Sequence, residues 1–173
     1  VLGRAGYHGA SMNDIAEAAG VTKPVLYQHF DSKRELFLAL LQDVGDRLLT
    51  EITRATSDAP DGKSQTELGF QAYFRWVAHD HDAFMLLFGG GARRDDEFRE
   101  AVRRITDLAA NAIAPLIAVD EIDDEERRTI AHGLVGLAEG ASRRLVDRGE
   151  PFDPDAVARS VSRLAWAGLR ALG

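Results

Sequence analysis

The side chains best equipped for chemistry in this chain are gathered between Lys23 and Lys33, and their chemistry is recognition. Gln28 carries the adjacent amide donor and acceptor that pair with the N6/N7 edge of adenine, and Lys23 reaches a guanine or a phosphate. Pro24 and Val25 offer apolar contact to a thymine methyl. Tyr27, His29 and Lys33 suit phosphate oxygens, contacts that set register rather than read sequence. Singly, each residue has a plainer reading of equal weight: a half-buried ring, a solvated amide, a surface lysine. Jointly, on one helix face opposite Leu26 and Phe30, they point to double-stranded DNA.

Other reactive residue types are scattered. His79 and His81 stand in an HDHD run, which reads as a solvated helix junction rather than a metal site. DDEE at 123–126 reads as a helix start favoured by the helix dipole. There is no cysteine, so disulfides and thiolate metal sites are excluded. No Ser/His/Asp set or carboxylate pair has catalytic spacing, so no enzyme, cofactor or metal is expected.

Two short helices position the recognition face. Ser11 is an N-cap with Asp14 as its capping-box partner, and Ile15, Ala16 and Ala19 supply an inward face. Gly20 takes the left-handed turn that stops this helix, and Val21 is expected to plug the gap beneath it. Thr22 caps the second helix, whose first turn tolerates Pro24. Leu26 and Phe30, four residues apart, share its buried face. Ser32 with Glu35 makes a second capping box that opens a long helix. This is the build of a helix-turn-helix, whose second helix enters the major groove.

Charge is divided unevenly. Residues 1–34 hold four basic side chains against three acidic ones, a balance of +1, and the remainder carries −8 of the total −7. A head with so few cations binds tightly only when two heads act together. The chain opens on Val1, and VLGRAG reads as the tail of a helix ended by Gly6, which implies an upstream segment carrying most of a first helix. No stretch approaches the ~20 apolar residues of a membrane span, and a cytoplasmic location is expected.

The larger remainder reads as helices near 32–56, 64–79, 82–89, 94–118, 123–148 and 154–171, with no strand signal, so the fold is expected to be all-α. The division places a helix-turn-helix head at 1–46 and an effector-binding and dimerisation body at 47–173. Phe70, Tyr73, Phe74, Trp76, Phe84 and Phe88 read either as plain core or as the lining of an apolar cavity. In the second reading the cavity is closed by an inward stripe of Phe98, Val102, Ile105, Ala109, Ala112 and Leu116. A second stripe, Ile130, Leu134, Leu137, Ala141 and Leu145, reads as core. Beside it Gly133, Gly136 and Gly140 form a strip without side chains, which suits close approach of another helix, from the same subunit or from a partner. With Val157, Val161, Leu164 and Gly168 on the last helix, that strip is expected to join two subunits in a four-helix interface.

The run GYHGASMNDIAEAAGVTKPVLYQHFDSKRELFLALL, Gly6 to Leu41, resembles the TetR family of bacterial transcriptional regulators, with the turn, LYQHF and SKREL in that family's order and spacing. The resemblance implies a homodimer on a near-palindromic operator, acting more as a repressor, with a small-molecule effector in the C-terminal body. Its DNA contacts fall at Ser11, Lys23, Pro24, Tyr27, Gln28, His29 and Lys33, with Pro24 standing where many members carry glycine. KPVLYQHF and HGLVGLAEGASRRLV are similar to the actinobacterial regulators of fatty-acid metabolism in that family, which implies a fatty acyl effector. The rival reading is a helical lipid- or metabolite-binding dimer whose head no longer reads DNA.

Overall fold

A computed structural model describes residues 1–89, 95–119 and 121–172, and every regular element among them is helical. The helices are α1 (Leu2–Gly9), α2 (Met12–Ala18), α3 (Lys23–His29), α4 (Lys33–Thr56), α5 (Gly62–His79), α6 (His81–Phe88), α7 (Asp96–Ile113), α8 (Asp124–Arg148) and α9 (Pro154–Arg170). They form two compact units. The first comprises Val1–Asp46 and Asp80–Arg103, the second Arg47–His79 and Arg104–Gly173. Helices α4 and α7 each contribute residues to both units.

The first unit is built around three rings that meet edge-on or tilted. Tyr7, Phe37 and Phe98 meet pairwise with centroids 4.5–5.3 Å apart, and Phe37 and Phe98 are almost wholly buried. Helix α1 packs on α6 at unusually close range because Gly3 has no side chain. A Cβ there would lie 2.3 Å from the Asp82 carbonyl oxygen. Arg4 Nε spans both Asp82 carboxylate oxygens at 3.2 and 3.0 Å beside that contact. Gly6 sits at φ +67° and kinks α1 where the sequence suggested a helix end, and the helix resumes as far as Gly9.

In the second unit α5 packs mainly on α9, burying Phe70, Tyr73, Phe74 and Val77 on the first and Ala158, Ser162 and Ala165 on the second. Asp155 ties them together, accepting from Gln71 and from both Nε and Nη2 of Arg75. Helix α8 is capped by Asp123, which accepts from the Glu126 N–H, and is terminated by Gly149 in the left-handed conformation. Arg127, near its start, gives its guanidinium to the carbonyls of Ile117, Val119 and Ile122, so one side chain satisfies the connection that precedes the helix.

Several expectations about faces need correction. The helix drawn over 94–118 begins at Asp96 (residue 94 lies outside the described residues) and gives way after Ile113 to a 3-10 turn, because Pro115 has no N–H to continue the ladder. Its inward stripe holds at Phe98 and Ile105 but not at Ala112 and Leu116, which are exposed. The buried line there runs through Ala110, Ala114 and Ile117, which pack with Ile122 and Ala131. The two ends of α7 serve different units, and the face changes with the neighbour. On α8 the expected core stripe is only half-buried. The deepest positions are Ala131, Ala138 and Ser142, small residues that allow close packing.

Candidate nucleic-acid interface and effector site

The head is assembled by backbone bonds. Ser11 caps α2 with the full reciprocal arrangement: its Oγ accepts from the Asp14 N–H at 3.2 Å and Asp14 Oδ2 accepts from the Ser11 N–H at 2.8 Å. The Ser11 hydroxyl also donates to Asp14 Oδ2 at 2.7 Å. These bonds, side chain first and backbone second, hold the Asp14 carboxyl below its ordinary range. The turn after α2 is a Schellman motif, with Val21 N–H donating to Ala16 O at 3.0 Å and Gly20 N–H to Glu17 O at 3.1 Å, Gly20 at φ +68°. These bonds hold the turn without a plug: Val21 is 38% exposed, and Ala19 is exposed as well, contrary to the inward places assigned to them.

Helix α3 follows, begun at Thr22, whose side chain makes no capping bond. Leu26 is buried as expected, but Phe30 is only half-buried. Phe30 follows the last helical residue with extended backbone (φ −138°, ψ 122°), which takes it off the face that the four-residue spacing assigned to it. On the other side Lys23, Pro24, Tyr27, Gln28 and His29 are all exposed, Tyr27 at 46%, and Val25 is half-buried at the flank. Lys23 Nζ lies 5.9 Å from the Tyr27 ring centroid, so its charge travels with that ring. Ser11 is exposed at the start of α2.

Lys33 is placed differently from the rest. Its ammonium donates to the carbonyls of Tyr7 at 2.7 Å and Ala10 at 2.9 Å and lies 4.4 Å from the Tyr7 ring centroid. Two of its three N–H groups thus tie the start of α4 to the end of α1, leaving one for any other partner. The Glu35 N–H bonds Ser32 Oγ, but the Glu35 carboxylate accepts from the Asp31 N–H instead of returning to Ser32, so only half the second capping box forms.

The aromatic residues proposed as a cavity lining form two groups. Phe70, Tyr73, Phe74 and Trp76 contact one another along α5, centroids 5.4–6.2 Å apart, in the unit that also holds buried Ile105. Phe84 and Phe88 pack together at 5.2 Å in the other unit, to which half-buried Val102 also belongs. Gly133, Gly136, Gly140 and Gly168 are exposed, and a Cβ on any of them would meet only open space. Leu164 is 65% exposed, with Val157 and Val161 half-buried.

Two features escaped the sequence reading. Arg34 bonds Asp95 and Glu97, and the Tyr73 and Ser142 hydroxyls are buried without a hydrogen-bond partner, features that no periodicity within one helix signals. Among the described residues there is no cluster of acidic or histidine side chains fit to hold a metal ion, and no helix long and apolar enough to cross a membrane.

Residues 1–40 match the family described as bacterial regulatory proteins, tetR family, and residues 63–168 match a tetracyclin repressor-like C-terminal domain. The HTH-type transcriptional activator FasR of Mycolicibacterium smegmatis is 34% identical over 165 residues, covering 95% of this chain and 75% of that protein. Among solved structures, the fatty acid degradation regulator FadR from Bacillus halodurans superposes with a TM-score of 0.86 at 23% identity, covering 98% of this chain and 91% of the other. FadR from Bacillus subtilis, solved in complex with stearoyl-CoA, superposes at 0.81 with 19% identity, covering 95% and 91%.

Proposed function

Because the chain belongs to the TetR family of bacterial transcriptional regulators, we propose that it is an effector-responsive regulator that grips a near-palindromic operator as a homodimer. The observation that carries this reading is the outer edge of α3. Lys23, Pro24, Tyr27, Gln28 and His29 stand free on one side, buried Leu26 anchors the other, and a Schellman turn fixes the helix against α2. Gln28 reads a base, Lys23 a base or phosphate, and Tyr27 and His29 the backbone, with Ser11 and the remaining Lys33 N–H as further phosphate partners. The weak basicity of the head makes a paired engagement necessary. The glycine strip of α8 with Val157, Val161, Leu164 and Gly168 on α9 is the surface we assign to dimerisation, because among the described residues nothing packs within 4 Å of a Cβ placed on those glycines.

The effector we propose is an apolar molecule, a fatty acyl compound, held in the body by the α5 rings. Support comes from the resemblance of KPVLYQHF and HGLVGLAEGASRRLV to regulators of fatty-acid metabolism and from the apolar character of those rings. The stearoyl-CoA in the Bacillus subtilis FadR complex makes that compound the natural first probe. Coupling runs through α4 and α7, the helices with residues in both units. A shift of a few ångströms ruins simultaneous engagement of half-sites ~34–36 Å apart. Such coupling is typically ~1–3 kcal/mol and is reciprocal, so the operator must weaken effector binding by the same factor.

Footprinting of genomic fragments tests the reading: protection of a palindromic site supports it, and a dimer that binds acyl compounds but protects no DNA reduces the protein to a metabolite-binding dimer. Repression is the sign we favour, since a dimer seated across a promoter excludes the polymerase. Activation is the second reading, favoured by the name of the Mycolicibacterium smegmatis relative. Reporter output after deletion of the gene separates them.

A further inference from the structure

Inside the second unit two hydroxyls are sealed from solvent without a hydrogen-bond partner: Tyr73 OH on α5 and Ser142 Oγ on α8. Ser142 is 0% exposed and Tyr73 7%. The helices that carry them, α5 and α8, pack on one another, and burial pushes the phenol well above its ordinary range, with the Ser142 hydroxyl acting against that rise. Buried polar groups are almost always satisfied. A bond between these two would not solve the problem, because each hydroxyl carries one proton and the second would still lack an acceptor. What the place lacks is an acceptor oxygen.

The surroundings narrow the kind of oxygen. Phe74 and Trp76 flank Tyr73 with centroids 5.4 and 6.1 Å away, so whatever brings the oxygen arrives among rings. The charges on α8 that act on the Tyr73 phenol, Glu139 and Arg143, are bound to each other. With its cation already paired, an incoming carboxylate would be an additional buried anion, which is far costlier than a neutral polar group. A neutral carbonyl oxygen has two lone pairs and matches two O–H donors.

We propose that Tyr73 and Ser142 form the polar end of the effector site, taking the carbonyl oxygen of a neutral ester or thioester on an otherwise apolar chain. This rests on the acyl-effector reading above and assigns its recognition point.

The test compares the full chain with its Tyr73→Phe and Ser142→Ala variants against stearoyl-CoA and S-octadecyl-CoA, a thioether lacking only the carbonyl oxygen. The wild type should prefer the thioester about tenfold, the scale of hydrogen bonding to one oxygen, and the double variant should bind both alike. Equal affinity of wild type and variants for stearoyl-CoA would show that the hydroxyls hold only a water, overturning the proposal and leaving the acyl reading intact. Binding of neither compound by the wild type removes the acyl reading and this site with it. Thermal unfolding without ligand gives an independent arm. Tyr73→Phe, which keeps the ring, should leave the midpoint unchanged or raised, and a clear fall would mean that the hydroxyl is already satisfied.

Discussion

Arg34 and Asp95, 61 positions apart, meet as a two-pronged ion pair: Nη1 donates to Oδ2 at 3.0 Å and Nη2 to Oδ1 at 2.8 Å. The remaining Nε donates to Glu97, and the guanidinium lies 4.9 Å from the Phe98 ring centroid. One side chain therefore joins the first turn of α4 to the start of α7, beside the ring cluster of the first unit. Lysine cannot reproduce that fork.

The Arg34 pair carries a pH signature. Its hydrogen bonds to Arg34 hold the Asp95 carboxyl below its ordinary 3.8, and the guanidinium is correspondingly raised. Asp155 is lowered in the same way by Arg75. A carboxyl whose folded value is depressed stabilises fully above its unfolded value and loses that contribution as pH falls through the lower, folded one. Acid unfolding followed by circular dichroism should therefore begin below about pH 4. Asp95→Asn should flatten part of that acid limb while lowering stability at neutral pH, and an unchanged limb would remove Asp95 from the account.

Lys23 and Lys33 should separate cleanly. Lys23→Ala should weaken DNA binding with thermal stability unchanged, for every sequence and with the salt slope reduced by about one where it meets a phosphate, and at one base pair where it meets a guanine. Lys33→Ala should also destabilise the ligand-free protein, on the order of 1–2 kcal/mol, because two buried-side carbonyls lose a charged donor. Equal melting points for wild type and Lys33→Ala would contradict that structural role.

Gln28→Ala should relax preference at one base pair by roughly 1–3 kcal/mol while leaving affinity for the other positions in place. Selection from a randomised operator library measures this directly. A recovered motif identical to that of the wild type would remove Gln28 from base reading.

Two glycines predict opposite outcomes. Gly3→Ala should destabilise the first unit by about 1–3 kcal/mol, since its new methyl would meet the Asp82 backbone, which cannot swing aside. Gly136→Ala should add about 1 kcal/mol of helix propensity to the protomer, because a Cβ there meets nothing. If α8 packs closely on its counterpart, Gly136→Leu should raise the dimer dissociation constant in sedimentation equilibrium. A dimer as tight as the wild type would move the interface elsewhere.

What the chain declares by itself is local. The Ser11–Asp14 box, the left-handed Gly20, the exposed edge of α3 and the approximate places of most helices follow from interactions spanning three to five residues, and the apolar period reports an element whatever surrounds it. Gly20 and Leu26 could be assigned without knowing any neighbour. Faces were less readable where neighbours change along a helix. Phe30, Ala112 and Leu116 were assigned by extending a period past the point where the backbone leaves the helix or another partner takes over, and Val21 by expecting a plug beneath a turn that its own backbone bonds hold. The second role of Lys33, bonding two carbonyls at the end of α1, was not readable because those partners lie 26 and 23 positions away. Only tertiary packing decided that residues 80–103 belong with the head, that Arg34 finds Asp95, and that Tyr73 and Ser142 are buried without a partner. Each of these depends on which distant segments come together, and no periodicity within one helix encodes its partner.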